Sequence, residues 1–528
     1  MTSAPASATA PSPSRRVSDP TSADAVLIGG GHNGLVAAAY LARSGLDTVV
    51  IEARSMVGGT AASEPFGGAT VNICNCDHLT FRTTPVVEEL GLEGHGLRYV
   101  DVEPAQINRL WDGGGTTAWS VHHDLDRTLD EIGAIDAAAA QAYGRYARAA
   151  APAVRMVFEA AAEPPTLSGL TRLAVRRRLA GLRTLFGWSR RSAADVLESF
   201  FADDLVSAPA AVMGPMVWGI SPRTPGSGLG ALALAMRHVG TVGRPIGGSG
   251  AVTEALRKSL ESAGGVVRTS SRVTRIRCDA DRVVGVTLHD GTEIDAGIVV
   301  SACNPHDTFL QWLHEPPQVA RDLVRRWEAT PHHDGYESKL DLVVDREPTW
   351  RDDDRSMGPT TVVAPSMDDI DRAARIMADG EVLEQPALLV NVPTLLDPTM
   401  APEGRHVVSI EALFTPYARP GGWADGVEAE RWLDLFDGLC EPGFRDSIIE
   451  WRAVTPDRYE SDFHLPAGHA TSFAGGPLAA LRNPNPELTA YETVVPGLYL
   501  TGAATFPGAG VWGASGRNCA SVVVARHA

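Results

Sequence analysis

Short apolar runs separated by glycines and by helix-forming stretches set the rhythm of this chain. Residues 25–28 form an apolar run closed by glycines, the pattern of a strand buried on both faces of a parallel sheet. Residues 35–43 are rich in helix formers, and 48–51 is a second apolar run. Further strands are predicted at 266–269, 272–276, 283–288, 293–294 and 299–302, with a hairpin turn at His289-Asp290-Gly291. A helix is predicted over 251–263, behind Gly247-Gly248-Ser249-Gly250. Near the C-terminus, 498–501 is a strand, followed by a glycine-rich loop and a helix over about 515–526. Between these pieces, 125–159 and 192–201 predict helices. Strands at 340–344, 387–392 and 407–412 alternate with further helices. No internal repeat is visible.

The first seventy residues carry the strongest chemistry. Gly29, Gly31 and Gly34 stand in a G-x-G-x-x-G spacing between the first strand and the first helix, and Glu52 closes the second strand. In that context each glycine has a separate task. Gly29 permits the tight turn, Gly31 admits a pyrophosphate to the backbone, and Gly34 lets helix and strand approach. The helix N-terminus offers unpaired N–H groups and positive dipole to phosphates. Glu52 accepts hydrogen bonds from an adenosine ribose and repels a 2′-phosphate. Six residues on, the doublet Gly58-Gly59 lets a loop cross the cofactor without Cβ clashes. The C-terminal loop, with glycines at 502, 508, 510, 513 and 516, returns to the same place from the far end of the chain. Two such approaches suit a long dinucleotide, FAD. No second βαβ unit built on this spacing is present for a separate nicotinamide nucleotide.

On residues 29–63, 245–276, 285–305 and 497–518, the chain resembles the phytoene desaturase and amine oxidase superfamily of FAD enzymes, in particular its phytoene-dehydrogenase-like branch. These pieces cover a quarter to a third of the chain, in the family's order. The resemblance implies an α/β fold in which a discontinuous Rossmann-type FAD-binding domain (22–104, 240–306 and 455–528) is interleaved with a mixed α+β substrate domain (105–239 and 307–454). Residues 1–21 are expected to form a disordered tail. It implies that Val273 lies against the adenine through its backbone. It also implies that Gly502, Val511, Trp512 and Gly513 sit on the cofactor. A lysine in the strand that matches Lys339 contacts flavin N5 through a water in many relatives, so Lys339 is the first catalytic candidate. Thr60 and Ala503 depart from the family, standing where many relatives have a basic residue and an aspartate.

The second catalytic candidate is His78, in Cys74-Asn75-Cys76-Asp77-His78, as a proton acceptor or pocket-lining group. Thiolates and imidazole suit zinc, but no second ligand pair stands nearby, and no metal is expected. A covalent flavin link through Cys74, Cys76 or His78 stays open. Trp512 is a candidate pocket wall, beside Arg517 and Asn518; Trp218, Arg223 and His469 are weaker pocket candidates.

Composition narrows the partners. The net charge is −18, which disfavours a nucleic-acid binder. Arginine supplies 44 of the 46 basic residues; the two lysines are Lys258 and Lys339. An ammonium is compact, holds a water and shifts its pKa readily when buried, so a lysine kept in such a chain stands out. Six cysteines are too few for a disulfide scaffold, and the Ala/Ser/Pro-rich N-terminus has no apolar core of a signal peptide. A cytoplasmic protein is expected. Residues 172–191 hold seven arginines and no acid, interleaved with Leu, Phe and Trp. This stretch is expected to be a basic amphipathic helix able to touch an anionic membrane. No feature of the sequence sets an oligomeric state.

The function expected is that of an FAD-dependent dehydrogenase or desaturase. It would move a hydride from a fairly apolar small molecule to flavin N5, with dioxygen or a quinone as final acceptor. A flavin amine or amino-acid oxidase, or an FAD-binding regulatory protein with little turnover, are the alternatives.

Overall fold

The computed structural model describes residues 21–74, 77–111, 117–331, 335–469, 476–508 and 510–527. The N-terminal tail up to residue 20 and Cys76 lie outside the described residues.

The first sheet is assembled from three distant parts of the chain. Its order is Val273–Asp279, Arg282–Leu288, Glu293–Ser301, Ser22–Ile28, Thr48–Ile51 and Val266–Arg268, with Leu498–Leu500 also paired to Glu293–Ser301. The strands around Ser22–Ile28 run parallel, with Ala25 opposite both Ile298 and Thr48. Parallel strands need crossovers, and the apolar runs predicted from sequence are buried on both faces for that reason. Ala25, Leu27 and Val50 pack under the helices His32–Arg43, Gly250–Ser262 and Ala514–His527. Their neighbours Val26, Val49 and Ile51 face the opposite layer.

The second sheet has the order Ile448–Val454, Glu337–Val344, His406–Leu413, Leu388–Asn391, Thr361–Ala364, Gln106–Leu110 and Ala118–Val121. Leu340, Leu342 and Val344 pack into one apolar cluster with Trp432 and Phe436. The alternate residues of that strand turn the other way, and Val343 packs against Ala69 and Val71 of the hairpin Ser63–Phe66/Ala69–Asn72.

Four expectations change. Residues 293–294 and 299–302 are one strand, Glu293–Ser301, because its first half, buried only at alternate positions, pairs with the meander and its fully buried end with the parallel core. The first insertion opens with the strands Gln106–Leu110 and Ala118–Val121 rather than with helix; both find partners in the second sheet. The long helical stretch after 125 is two helices, Leu125–Ile135 and Ala137–Ala161. Asp136 turns extended there and caps the second through Ala138 N–H at 2.7 Å. The arginine-rich stretch is not one helix but two, Leu167–Arg176 and Leu182–Trp188. Arg178, Leu179 and Gly181 are left-handed between them. Gly181 presses onto the backbone of Pro152, where a Cβ would come within 2.6 Å, so a straight helix cannot pass.

Candidate functional site

The glycine turn is built as its spacing demands. Gly29 has φ +98°, and a Cβ there would sit 2.7 Å from Cys303 Sγ. At Gly34 a Cβ would fall 2.2 Å from Gly29 O and 3.0 Å from Ala302 Cβ, so only glycine lets helix and strand meet. Gly31 differs: a Cβ there would meet nothing within 4 Å. It caps a helix with no side-chain cap and no acid in its first turn, which leaves backbone donors aimed into open space. Gly58 closes on this turn, its N–H donating to Gly30 O at 2.8 Å. Glu52 is fixed by two backbone donors, Gly30 N–H at 2.7 Å and Arg54 N–H at 2.8 Å.

The structure has two large cavities, of which the first is lined by this turn. The first, about 420 Å³, lies beyond the carboxyl ends of the parallel strands, where open α/β sheets bind ligands. Gly29, Glu52, Arg54, Gly59 and Val273 line it. Asp307 also lines it; burial raises its carboxyl to about 6, with Arg272 opposing. The second cavity, about 490 Å³, is walled by the helical insertion and by the C-terminal loop, including Gly510, Val511 and Trp512. Thr80 Oγ1 holds that loop by donating to Val511 O at 2.6 Å. Most of the wall is apolar; Asp77 and Arg237 are its charged members. Asp77 accepts from Arg244 Nε and from Thr360 Oγ1, each at 2.7 Å. Burial raises its carboxyl, but Arg244, Thr360 and, behind them, Arg237 outweigh burial and leave it below the usual value.

Between the hairpin and the second sheet lies a sealed polar cluster. Lys339 is fully buried; its Nζ donates to Asn72 O at 2.7 Å and pairs with Asp341. Arg452 takes the other Asp341 oxygen through Nε at 3.0 Å and Nη2 at 2.9 Å. Glu411 stands directly opposite Lys339 across the strand pair, and Cys74 Sγ lies 3.1 Å from Glu337. Burial, then Glu337, pushes Glu411 up to about 8, against the pull of Lys339. Burial likewise raises Glu337 and Cys74.

The titration of Glu411 has a testable consequence. Its carboxyl ionises near 4.5 when unfolded and near 8 in the fold. The folded state therefore holds an extra proton between those values, and this group's contribution to stability falls as pH rises through that window. Relative to wild type, Glu411→Gln is expected to gain melting temperature progressively from about pH 5 to about pH 8 and then level off. A difference that is flat across that range would refute the assignment.

The model of the family described as flavin containing amine oxidoreductase matches residues 34–524. The chain belongs to this family. It is 30% identical to mouse pyridine nucleotide-disulfide oxidoreductase domain-containing protein 2, over 95% of this chain and 93% of that one. It is 27% identical to one of the subunits of limonene dehydrogenase from Castellaniella defragrans, over 95% and 94%. In fold it is similar to an oxidoreductase from Methanosarcina mazei, with a TM-score of 0.62, 16% identity, and 95% and 99% coverage. The protein is an FAD-dependent oxidoreductase, and the resemblance to the phytoene desaturase and amine oxidase superfamily stands. Its residues fit the cofactor: the open face at Gly31 and the uncapped helix suit a pyrophosphate, and Glu52 and Val273 share one cavity at the strand ends.

Within this flavin-containing oxidoreductase, the candidates separate into groups. Gly502, at φ +109°, and Gly513, at φ +71°, shape the C-terminal loop. A Cβ on Gly513 would come 2.8 Å from the Phe81 ring. Trp512 and Val511 face the second cavity, and so does Trp218. Arg223 does not; it pairs with Glu198 and Asp371 at the surface. His469 packs against the Tyr336 ring at 5.1 Å, outside the wall. Arg517 and Asn518 tie the terminal helix to the end of Ala137–Ala161, donating to Ala162 O at 2.7 Å and Ala161 O at 3.0 Å. Lys339 lines neither cavity, and it is no edge residue, since its strand has neighbours on both sides. His78 is fully buried between Tyr99 OH and Ser249 Oγ, each at 3.1 Å. Burial, reinforced by His32, lowers it to about 3, so the ring is neutral and weakly basic. Ser249 N–H donates to Asn72 Oδ1 at 2.8 Å, which joins His78 to Lys339 through Asn72.

Arg237, Glu337 and Glu411 escape the sequence reading. Arg237 has a faint signal: it ends a charge-free run of thirteen residues, Thr224 to Met236, where a lone charge is out of place. The two glutamates carry none, because alternation of polar residues along 337–341 and at Ser409 and Glu411 describes a solvated strand face equally well.

Proposed function

We propose that this protein is a dehydrogenase that takes a hydride from carbon in an apolar small molecule bound in the 490 Å³ cavity, with dioxygen or a quinone as final electron acceptor. The observation that carries the reading is that this cavity, largely apolar, has the cofactor loop Gly510–Trp512 as part of its wall. Bound FAD supplies the hydride acceptor. The chain's own residues bind and orient: Phe158 and Trp512 meet edge to face at 6.0 Å and shape the wall, while apolar side chains exclude water. The similarity to a component of limonene dehydrogenase supports an apolar substrate. An amine oxidase is less well served, because Asp77, the one carboxylate among the described residues of the wall, is already held by Arg244 and Thr360, so an ammonium gains no free counter-ion there. We propose that Lys339, which lines neither cavity, acts on the reaction indirectly, through Asn72 and the Ser249 loop that Asn72 holds. His78 is then a positioning residue that fixes the Ser249 loop. The expected result is a yellow protein whose visible band bleaches anaerobically with apolar alkenes and not with primary amines. Bleaching by amines alone would overturn the assignment, and colour retained in an acid-precipitated pellet would show a covalent flavin.

We also propose that residues 167–191 contact an anionic membrane, through which an apolar substrate arrives. Leu167, Val175, Leu179 and Phe186 are 70%, 68%, 59% and 47% exposed. Arg176 and Arg177 pair with Glu159, but among the described residues no ion pair reaches Arg172, Arg178 or Arg183. The helix Ala137–Ala161, against which this patch packs, also contributes Val154, Val157 and Phe158 to the cavity. Among the described residues, no helix is long and apolar enough to cross a membrane. Phosphatidylserine vesicles are expected to co-sediment the protein and phosphatidylcholine vesicles to leave it in solution. Leu179→Asp with Phe186→Asp should abolish binding; binding unchanged by that pair would remove the patch from the proposal.

A further inference from the structure

The second cavity contains one charge that its surroundings do not use. Arg237 is only 8% exposed and lines the cavity. Its Nη1 donates to Ala233 O at 2.9 Å, and its Nε is buried with no partner. Among the described residues no carboxylate stands within ion-pair distance of it. The acid that acts on it from farther away is Asp77, and Asp77 is already held by Arg244 at 2.7 Å. The other groups facing Arg237 are the phenols of Tyr143 and Tyr146, both kept neutral by burial. Among the described residues two guanidinium groups thus share one carboxylate, which leaves one positive charge in excess against a largely apolar wall. Burying an uncompensated charge is costly, and such charges are retained where a partner arrives to meet them. The planar fork of a guanidinium matches a carboxylate geometrically.

We propose that Arg237 anchors the substrate's head group, and that the substrate is an apolar molecule ending in a carboxylate. Its body packs on Leu79, Val157, Phe158, Met213, Met236 and Trp512. This rests on the reading of the cavity as the substrate site. It adds a single anionic group to a molecule whose reacting carbon lies on the apolar side, toward the cofactor loop. An uncharged hydrocarbon would leave Arg237 unmet, and an amine would be repelled.

The test uses the flavin-loaded protein and three probes of equal length: decanoate, 1-decanol and decylamine. Binding is followed by calorimetry and by the flavin visible difference spectrum. Decanoate is expected to bind at least tenfold more tightly than decanol and to perturb the flavin band, with decylamine weakest. In Arg237→Met the acid and the alcohol should bind equally, at unchanged flavin content. Arg237→Lys should keep part of the preference, and it replaces the Met variant if that one does not fold. Equal binding of acid and alcohol to the wild type, an acid preference that survives Arg237→Met, or no binding of any probe would each overturn the anchor. Tight decanoate binding lost in Arg237→Met but silent in the flavin spectrum would uphold the anchor and place the cavity away from the flavin, against the proposed function.

Discussion

Replacing Gly31 by alanine is expected to yield a folded protein that has lost its flavin. A Cβ at Gly31 meets nothing within 4 Å, so the protein itself tolerates the methyl group. The space it enters is the one above the uncapped N-terminus of His32–Arg43, where backbone donors await phosphate oxygens. A methyl there holds the phosphates off the amides, and affinity for FAD should fall about a hundredfold, roughly 2.7 kcal/mol. Turnover at limiting FAD should fall with it, while the apoprotein's melting temperature stays that of wild-type apoprotein. Gly34→Ala is the contrasting control. Its methyl would lie 2.2 Å from Gly29 O, so helix and strand must separate, and the apoprotein itself loses stability. Flavin binding by Gly31→Ala at wild-type affinity would refute the assignment of this face to the pyrophosphate.

Lys339→Met is expected to damage both the fold and the reaction. Lys339 is the cation between Asp341 and the carboxyls of Glu337 and Glu411, and it is wholly excluded from solvent. Removing one member of such a buried arrangement leaves the rest uncompensated, at a cost of about 3–5 kcal/mol. Glu411 should then ionise at still higher pH, since the ammonium that pulls it down is gone. Rates of flavin reduction by substrate and of reoxidation, measured separately on the purified variant, decide the chemical part. If both remain at wild-type values while the melting temperature drops, Lys339 serves the structure alone.

The sequence reading and the structure part company at particular residues. The G-x-G-x-x-G turn was legible because its requirements are local: a positive φ at Gly29 and a close helix approach at Gly34 are properties of six consecutive residues. The glycine doublet and the C-terminal loop were legible for the same reason. The arginine-rich stretch misled because helix-forming composition says nothing of Pro152, which lies far back in the chain and fills the space a continuous helix would need. Residues 106–110 and 118–121 looked unremarkable until Thr361–Ala364 supplied a partner for the first of them.

By itself, the sequence determined that this chain builds a βαβ glycine turn and ends in a glycine-rich loop and helix, and its resemblance to known proteins placed it among FAD oxidoreductases. The turn and the elements around it follow from backbone freedom and hydrophobic period, which act over a few residues. Tertiary structure alone decided which polar residues are buried. Glu337, Lys339 and Asp341 share one strand face whether water or a hairpin covers it, and only packing shows that the hairpin Ser63–Phe66/Ala69–Asn72 does. Arg237 is buried because residues from distant parts of the chain close a largely apolar cavity around it, with Asp77 acting on it from beyond ion-pair distance. Desolvation is a property of the enclosure, not of the residue, and no local pattern encodes it.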